Sequence, residues 1–233
     1  MIDKFVAGVA QALADVQDGA TILVGGFGAV GHPLALIEGL IEQGARNLTI
    51  VTNNAGWGRE SGLPRLMDCG RVRKLVCSFP RGSVVFEELF RAGRIELELV
   101  PQGTLAERIR AAGAGIPGFF TPTAVGTPLA QGKEIREFDG RAYLLERALH
   151  ADVALIEAWR ADRWGNLTYR GSGRNFNPIM AMAARMTIAQ TQHRVTLGDL
   201  PPEEIVTPGI FVDRIVEVAY GGPAPQAPRK DAS

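Results

Sequence analysis

The sequence predicts a mainly parallel α/β sheet with helices on both faces and a β-hairpin excursion. Three observations predict it. Short apolar runs alternate with segments of helical period, and Gly, Pro, Asn or Asp marks the junctions. The runs are also apolar throughout, as strands buried on both faces of a parallel sheet are.

Phe5, Val9 and Leu13 recur at helical spacing, so residues 3–16 read as an amphipathic helix ending near Asp18-Gly19. Thr21-Ile22-Leu23-Val24 is a buried strand. Four glycines follow, at 25, 26, 28 and 31, and Pro33 opens a helix through Ile41. Proline suits a first helical turn, where its missing amide has no helical partner. The same rhythm gives strands at 48–51, 72–77 and 95–100, with helices at 84–91 and 105–112. Further on, 153–156 and 187–189 read as buried strands with a helix over 179–184 between them. Residues 117–147, rich in Gly, Pro and Thr, form the hairpin excursion. Residues 1–220 are expected to form one domain, and 221–233, all Pro, Ala, Gly and polar residues, a disordered tail.

Composition excludes several function classes. Lys plus Arg (25) equals Asp plus Glu (25), so no net field is available to hold a nucleic-acid backbone or an anionic membrane. Cys69 and Cys77 make no disulfide framework, and His32, His150 and His193 have no metal-ligand spacing. No apolar stretch reaches the ~20 residues of a membrane span. With no leader pattern at Met1-Ile2-Asp3-Lys4-Phe5, the expected setting is cytoplasmic. Glycine is in excess: 28 of 233 residues, clustered where backbone can approach a ligand.

Gly26-Phe27-Gly28-Ala29-Val30-Gly31 matches G-x-G-x-x-G after a strand and before a helix, the context of a dinucleotide fingerprint. A nicotinamide enzyme places an acidic residue at the end of the second strand, about 20 residues on. That strand ends here in Val51-Thr52-Asn53-Asn54, with two amides and no carboxylate. A dinucleotide-binding oxidoreductase is therefore the alternative reading, and an oxyanion or anion site the preferred one.

The longer segment Asp18-Gly19-Ala20-Thr21-Ile22-Leu23-Val24-Gly25-Gly26-Phe27-Gly28-Ala29-Val30-Gly31-His32-Pro33 resembles the signature of family I coenzyme A transferases, in their α subunit. Asn53-Asn54-Ala55-Gly56, Val100-Pro101-Gln102-Gly103, Gly113-Ala114-Gly115, Trp164-Gly165-Asn166 and Arg174-Asn175-Phe176-Asn177-Pro178 extend the resemblance across residues 3–218. Cys77-Ser78-Phe79-Pro80-Arg81 with Phe86-Glu87-Glu88 is most similar to the branch acting on 3-oxoadipate, although Gly82-Ser83-Val84 is shorter than that branch's loop.

The resemblance implies a ping-pong route through a glutamyl-CoA thioester, with the nucleophilic glutamate on a partner β subunit in a heterodimer or heterotetramer. Coenzyme A is then a substrate, and no tightly bound cofactor or metal is implied. It also implies roles here: Gln102 in an oxyanion hole, and Gly25, Gly26, Phe27, Gly28, Ala29, Val30 and Gly31 in binding coenzyme A. Glu60 lies next to Ser61-Gly62 but does not match the family's nucleophile. Asn53 and Asn54, at a strand's carboxyl end, are candidate substrate-binding residues, with simple Asx-turn chemistry as the alternative. Arg81 is a candidate for selecting acids with a second carboxylate, because its guanidinium fork matches that group. Acetoacetate or another short acid is the alternative acceptor. Glycines 103, 113 and 115 are expected to form a second ligand-facing stretch. Cys77, Trp159 and Trp164 are expected to serve packing or an interface.

Overall fold

The computed structural model describes residues 2–218. The elements are α1 (Val9–Ala12), β1 (Thr21–Val24), α2 (Leu34–Gln43), β2 (Leu48–Val51), α3 (Gly62–Asp68), β3 (Val72–Cys77), α4 (Val84–Arg91), β4 (Glu96–Leu99) and α5 (Gln102–Gly113). They continue with β5 (Gly118–Thr121), β6 (Ile135–Phe138), β7 (Arg141–Arg147), β8 (Ala151–Ala161), β9 (Leu167–Thr168), α6 (Asn177–Ala183), β10 (Ala184–Arg194) and β11 (Arg214–Glu217). The main sheet runs β11-β10-β8-β1-β2-β3-β4, all parallel, with β9 antiparallel on β8. The mainly parallel α/β class is the one the sequence predicts.

The sheet is buried from both sides. Ile22 and Val24 pack with Leu36, Ile37 and Leu40 on one face, while Leu23 and Val51 pack with Leu105, Ile109 and Met180 on the other. Fully burying one such side chain contributes about 1.5–3 kcal/mol, which is why four-residue strands suffice here. From β1 the chain winds through β2 and β3 to β4, and from β8 it winds the other way through β10 to β11. The winding reverses between β1 and β8. In open α/β sheets that is where a crevice opens beyond the carboxyl ends of the strands.

The excursion is a second, antiparallel sheet, β5-β7-β6. Asp139 and Gly140 join β6 to β7 with positive φ (51° and 74°), the conformation that a two-residue hairpin turn demands.

Several expectations fail for identifiable reasons. The helix expected over 3–16 shrinks to Val9–Ala12. Phe5 forms a parallel bridge with Ile215, and Lys4 Nζ donates to the carbonyls of Gly209 and Val212 at 2.6 Å each. Long-range pairing thus overrides a local helical period. Helix α5 begins at Gln102, three residues earlier than expected, because Pro101 supplies the boundary. Gly113 and Gly115 do not face a ligand: α5 runs away from the carboxyl edge, and a Cβ on Gly113 would lie 2.6 Å from that of Met182 in α6. Gly113 is there so that two helices can approach. Strands β9 and β11 and helix α3 are unanticipated, and β8 and β10 are longer than expected. The expected tail at 221–233 lies outside the described residues.

Candidate active site

The carboxyl ends of β1, β2, β3 and β4 line up along one edge of the sheet. They carry the glycine loop, Asn53-Asn54, Ser78-Phe79 and Gln102 in that order.

After β1 the chain makes a tight turn in which Phe27 and Val30 exchange backbone hydrogen bonds at 3.0 and 3.1 Å. Among the described residues, the backbone N–H groups of Gly28, Ala29 and Gly31 have no protein partner. Successive free amides of this kind form a concavity for an anion or a developing oxyanion. The glycines serve close approach: a Cβ on Gly25 would sit 1.8 Å from Asn177 Oδ1, and one on Gly26 would sit 2.5 Å from the His32 ring.

Two asparagines hold this loop, and they give the Arg174-Asn175-Phe176-Asn177-Pro178 motif its chemistry. Asn175 Oδ1 accepts from Gly26 N–H (3.1 Å), and its Nδ2 donates to Val30 O (3.0 Å) and Ser172 O (2.9 Å). Asn177 Nδ2 donates to Gly31 O (3.1 Å) and Gly173 O (2.8 Å), while its Oδ1 accepts from Glu157 N–H (3.0 Å). Asn177 is completely buried. His32 Nε2 donates to Gly28 O at 2.8 Å, and burial lowers the His32 pKa, so the ring stays neutral.

The N-terminus of α2 is closed to ligands. Leu34 N–H donates to His32 O, and the amides of Ala35 and Leu36 both donate to Gln190 Oε1, at 3.0 and 3.3 Å. A dinucleotide fingerprint places its pyrophosphate on those amides. Here Gln190 occupies them, and β2 ends in amides instead of a carboxylate, so both requirements of the dinucleotide reading are missing.

Asn54 is committed to structure. Its Nδ2 donates to Gly28 O (3.2 Å) and Asn53 Oδ1 (3.3 Å), and its Oδ1 accepts from Gly56 N–H (2.9 Å), an Asx turn that ties β2 to the glycine loop. Asn53 Nδ2 has no protein partner among the described residues. The Ser78 hydroxyl is buried and unpartnered. Val51 and Val76 pack on the α5 face, so the pleat turns Asn53 and Ser78, two residues on, to that face as well. Gln102 opens α5 there, its side chain exposed and making no hydrogen bond among the described residues. It does not act as a cap.

Arg81 lies exposed in the loop after β3, two residues past the Asn54–Phe79 bridge, with no ion pair among the described residues. Cys77 is fully buried and its thiol is pushed up to about 12, so it is packing and not a nucleophile. Phe27 (48% exposed), Val30 (45%) and Phe79 (50%) present apolar surface around the loop.

A cavity of about 400 Å³ opens between Val30-Gly31 and the Gly171-Gly173 turn, against the far end of β8. Glu157 lines it, a residue that sequence reading passes over because its β10 partners come into register only in the folded sheet. Glu157 Oε1 accepts from Gln192 Nε2 at 3.2 Å and from Gln190 Nε2 at 3.5 Å. Burial raises its pKa, and these two amides only partly offset that. From the ordinary 4.5 upward, the unfolded chain therefore loses this proton before the folded one does, so stability falls as pH rises. Glu157→Gln should abolish this fall, and urea unfolding of both proteins from pH 4 to 8 measures it.

Residues 6–218 match the sequence profile of the family described as "Coenzyme A transferase". The chain belongs to the coenzyme A transferase family. It is 62% identical over 221 residues to the α subunit of 3-oxoadipate CoA-transferase of Pseudomonas putida, covering 94% of this chain and 95% of that one. The corresponding chain of the same enzyme from Acinetobacter baylyi is 58% identical over 230 residues, covering 98% and 100%. Among solved structures, the acyl-CoA transferase YdiF of E. coli, as a thioester complex with CoA, superposes with a TM-score of 0.83 at 26% identity. That match covers 96% of this chain and spans half (50%) of the length of the E. coli chain. Among the described residues no helix is long and apolar enough to cross a membrane.

Proposed function

We propose that this chain is the α subunit of a transferase that moves coenzyme A from succinyl-CoA to 3-oxoadipate, active only with its β subunit. The observation that carries the reading is the row of unpartnered donors along one sheet edge: the Gly28, Ala29 and Gly31 amides, Asn53 Nδ2 and the Gln102 side chain. They face no ligand of their own chain, and half-exposed Phe27, Val30 and Phe79 surround the loop as a docking surface for the second chain. A cytoplasmic setting, with both thiols free, belongs to the same reading.

In this mechanism a glutamate carboxylate from the β subunit first attacks the thioester carbonyl of succinyl-CoA. The carbonyl oxygen becomes an oxyanion, which Gln102 and the loop amides stabilise by donating to it. Collapse expels the coenzyme A thiolate and leaves a succinyl-glutamyl anhydride. The thiolate then attacks the glutamyl carbonyl, succinate departs, and a glutamyl-CoA thioester remains. The carboxylate of 3-oxoadipate reverses the sequence and takes the coenzyme A. Splitting one transfer in this way is covalent catalysis. Arg81 meets the distal carboxylate shared by the succinyl and oxoadipyl groups.

The test assays each chain alone and the two together, with 3-oxoadipate, acetoacetate and acetate in parallel. Activity is expected only in the mixture, highest with 3-oxoadipate. Arg81→Ala should lower the preference for succinate over acetate. Turnover by this chain alone contradicts the division of labour, and acetoacetate as the best acceptor replaces the acceptor assigned here.

A further inference from the structure

We propose that the cavity beside the glycine loop holds the pantetheine arm of coenzyme A. The inference rests on the coenzyme A transfer read above and places one part of that substrate.

The cavity lies where the sheet's winding reverses, beyond the end of β1 and against the continuation of β8, and its size is that of a small-molecule site. Its polar wall is made of acceptors. Glu157 Oε1 is taken by Gln190 and Gln192, and its Oε2 has no protein partner among the described residues. Gln192 Oε1 is buried and unpartnered. A buried acceptor left unmatched costs about 1–3 kcal/mol, so the wall is complete only when a ligand brings N–H or O–H groups. An acid without such donors would set its own oxygens against these. The pantetheine arm carries two secondary amides and a hydroxyl between apolar methyl and methylene groups, and Val30, Ala158 and Trp159 supply apolar wall for the latter.

The rim carries the opposite chemistry. Arg170 lies over the Trp159 ring, its guanidinium carbon 4.6 Å from the centroid, and makes no ion pair among the described residues. It is placed to meet the phosphates at one end of the arm. From β8 to β4 the sheet edge spans four inter-strand spacings, roughly 19 Å. An extended arm running along it passes the glycine loop and brings its sulfur toward Gln102.

The test uses the reconstituted complex of both chains with two donors, succinyl-CoA and S-succinyl-pantetheine. Ser172→Trp narrows the cavity without removing a side-chain hydrogen bond, and Gln192→Met removes the orphaned acceptor. Each should raise KM about 10-fold for both donors, the equivalent of one lost hydrogen bond, and leave the acceptor KM unchanged. Arg170→Ala should raise KM for succinyl-CoA only. Unchanged donor KM values, a raised acceptor KM, or failure of Ser172→Trp to assemble with the second chain each overturn the proposal. Titrating the wild-type complex with pantetheine, with Trp159→Phe as the fluorescence blank, reads the cavity without turnover. Trp159 emission that does not respond counts against the cavity even if transfer is confirmed. Absence of transfer, with emission that does respond, counts against the function and not the cavity.

Discussion

Gly25→Ala should reduce turnover of the assembled enzyme by about 100-fold or more and lower its melting temperature. The new Cβ would stand 1.8 Å from Asn177 Oδ1 and 2.8 Å from Cγ, so something must move. Asn177 cannot yield cheaply. It is buried and anchored to Gly31 O, Gly173 O and Glu157 N–H, and releasing it leaves buried backbone groups unmatched at about 1–3 kcal/mol each. Either the loop or the asparagine shifts, and displacing a preorganised donor by about 1 Å can cost ~10² in rate. Asn177→Ala alone should also be damaging, for the loss of those three bonds. The double variant Gly25→Ala/Asn177→Ala should be less impaired than the sum of the singles, because the clash disappears with its partner. Thermal melts and kcat for the four proteins form the cycle, and strict additivity would refute the buttress.

Gln102→Ala should act in the opposite manner: kcat should fall about 100-fold or more with stability unchanged. Removing one preorganised oxyanion donor has that cost. The Gln102 side chain is exposed and bonds to nothing in its own chain among the described residues, so the fold loses no contact by its removal. KM for succinyl-CoA should change little, since an oxyanion donor acts mainly in the transition state. Gln102→Glu, of similar size but unable to donate when ionised, should be as slow. A variant that loses stability instead, or shows only a raised KM, would assign Gln102 to packing or ground-state binding.

The two variants mark what is legible in the sequence. Strands β1, β2 and β3 and helix α4 fall on their expected residues because short apolar runs between turn-forming residues leave no other register. The glycine loop is legible for the same reason. The first helix misleads, because Phe5, Val9 and Leu13 share a helical period while Phe5 pairs with Ile215 at the other end of the chain. The resemblance marks the asparagine motif, but its meaning is hidden in the linear chain. Asn175 and Asn177 act on residues some 150 positions earlier, and only the β1–β8 pairing brings them together. The same holds for Glu157 and Gln192. In the linear sequence they are single polar residues in or beyond buried runs, and the β8–β10 pairing sets them side by side at a cavity. Asn54 resolves its two readings: it makes the Asx turn, leaving Asn53 as the free amide of the pair.

In the function proposed above, this chain is the donor-bearing half of a shared site, with the nucleophile on the other chain. Intact-mass spectrometry of the assembled enzyme, quenched after mixing with succinyl-CoA in the absence of acceptor, tests this directly. The mass of coenzyme A, less one water, should add to the β subunit while this chain keeps its unmodified mass. A coenzyme A adduct on this chain would contradict the assignment, and peptide mapping would show whether Glu60 or Glu157 carries it.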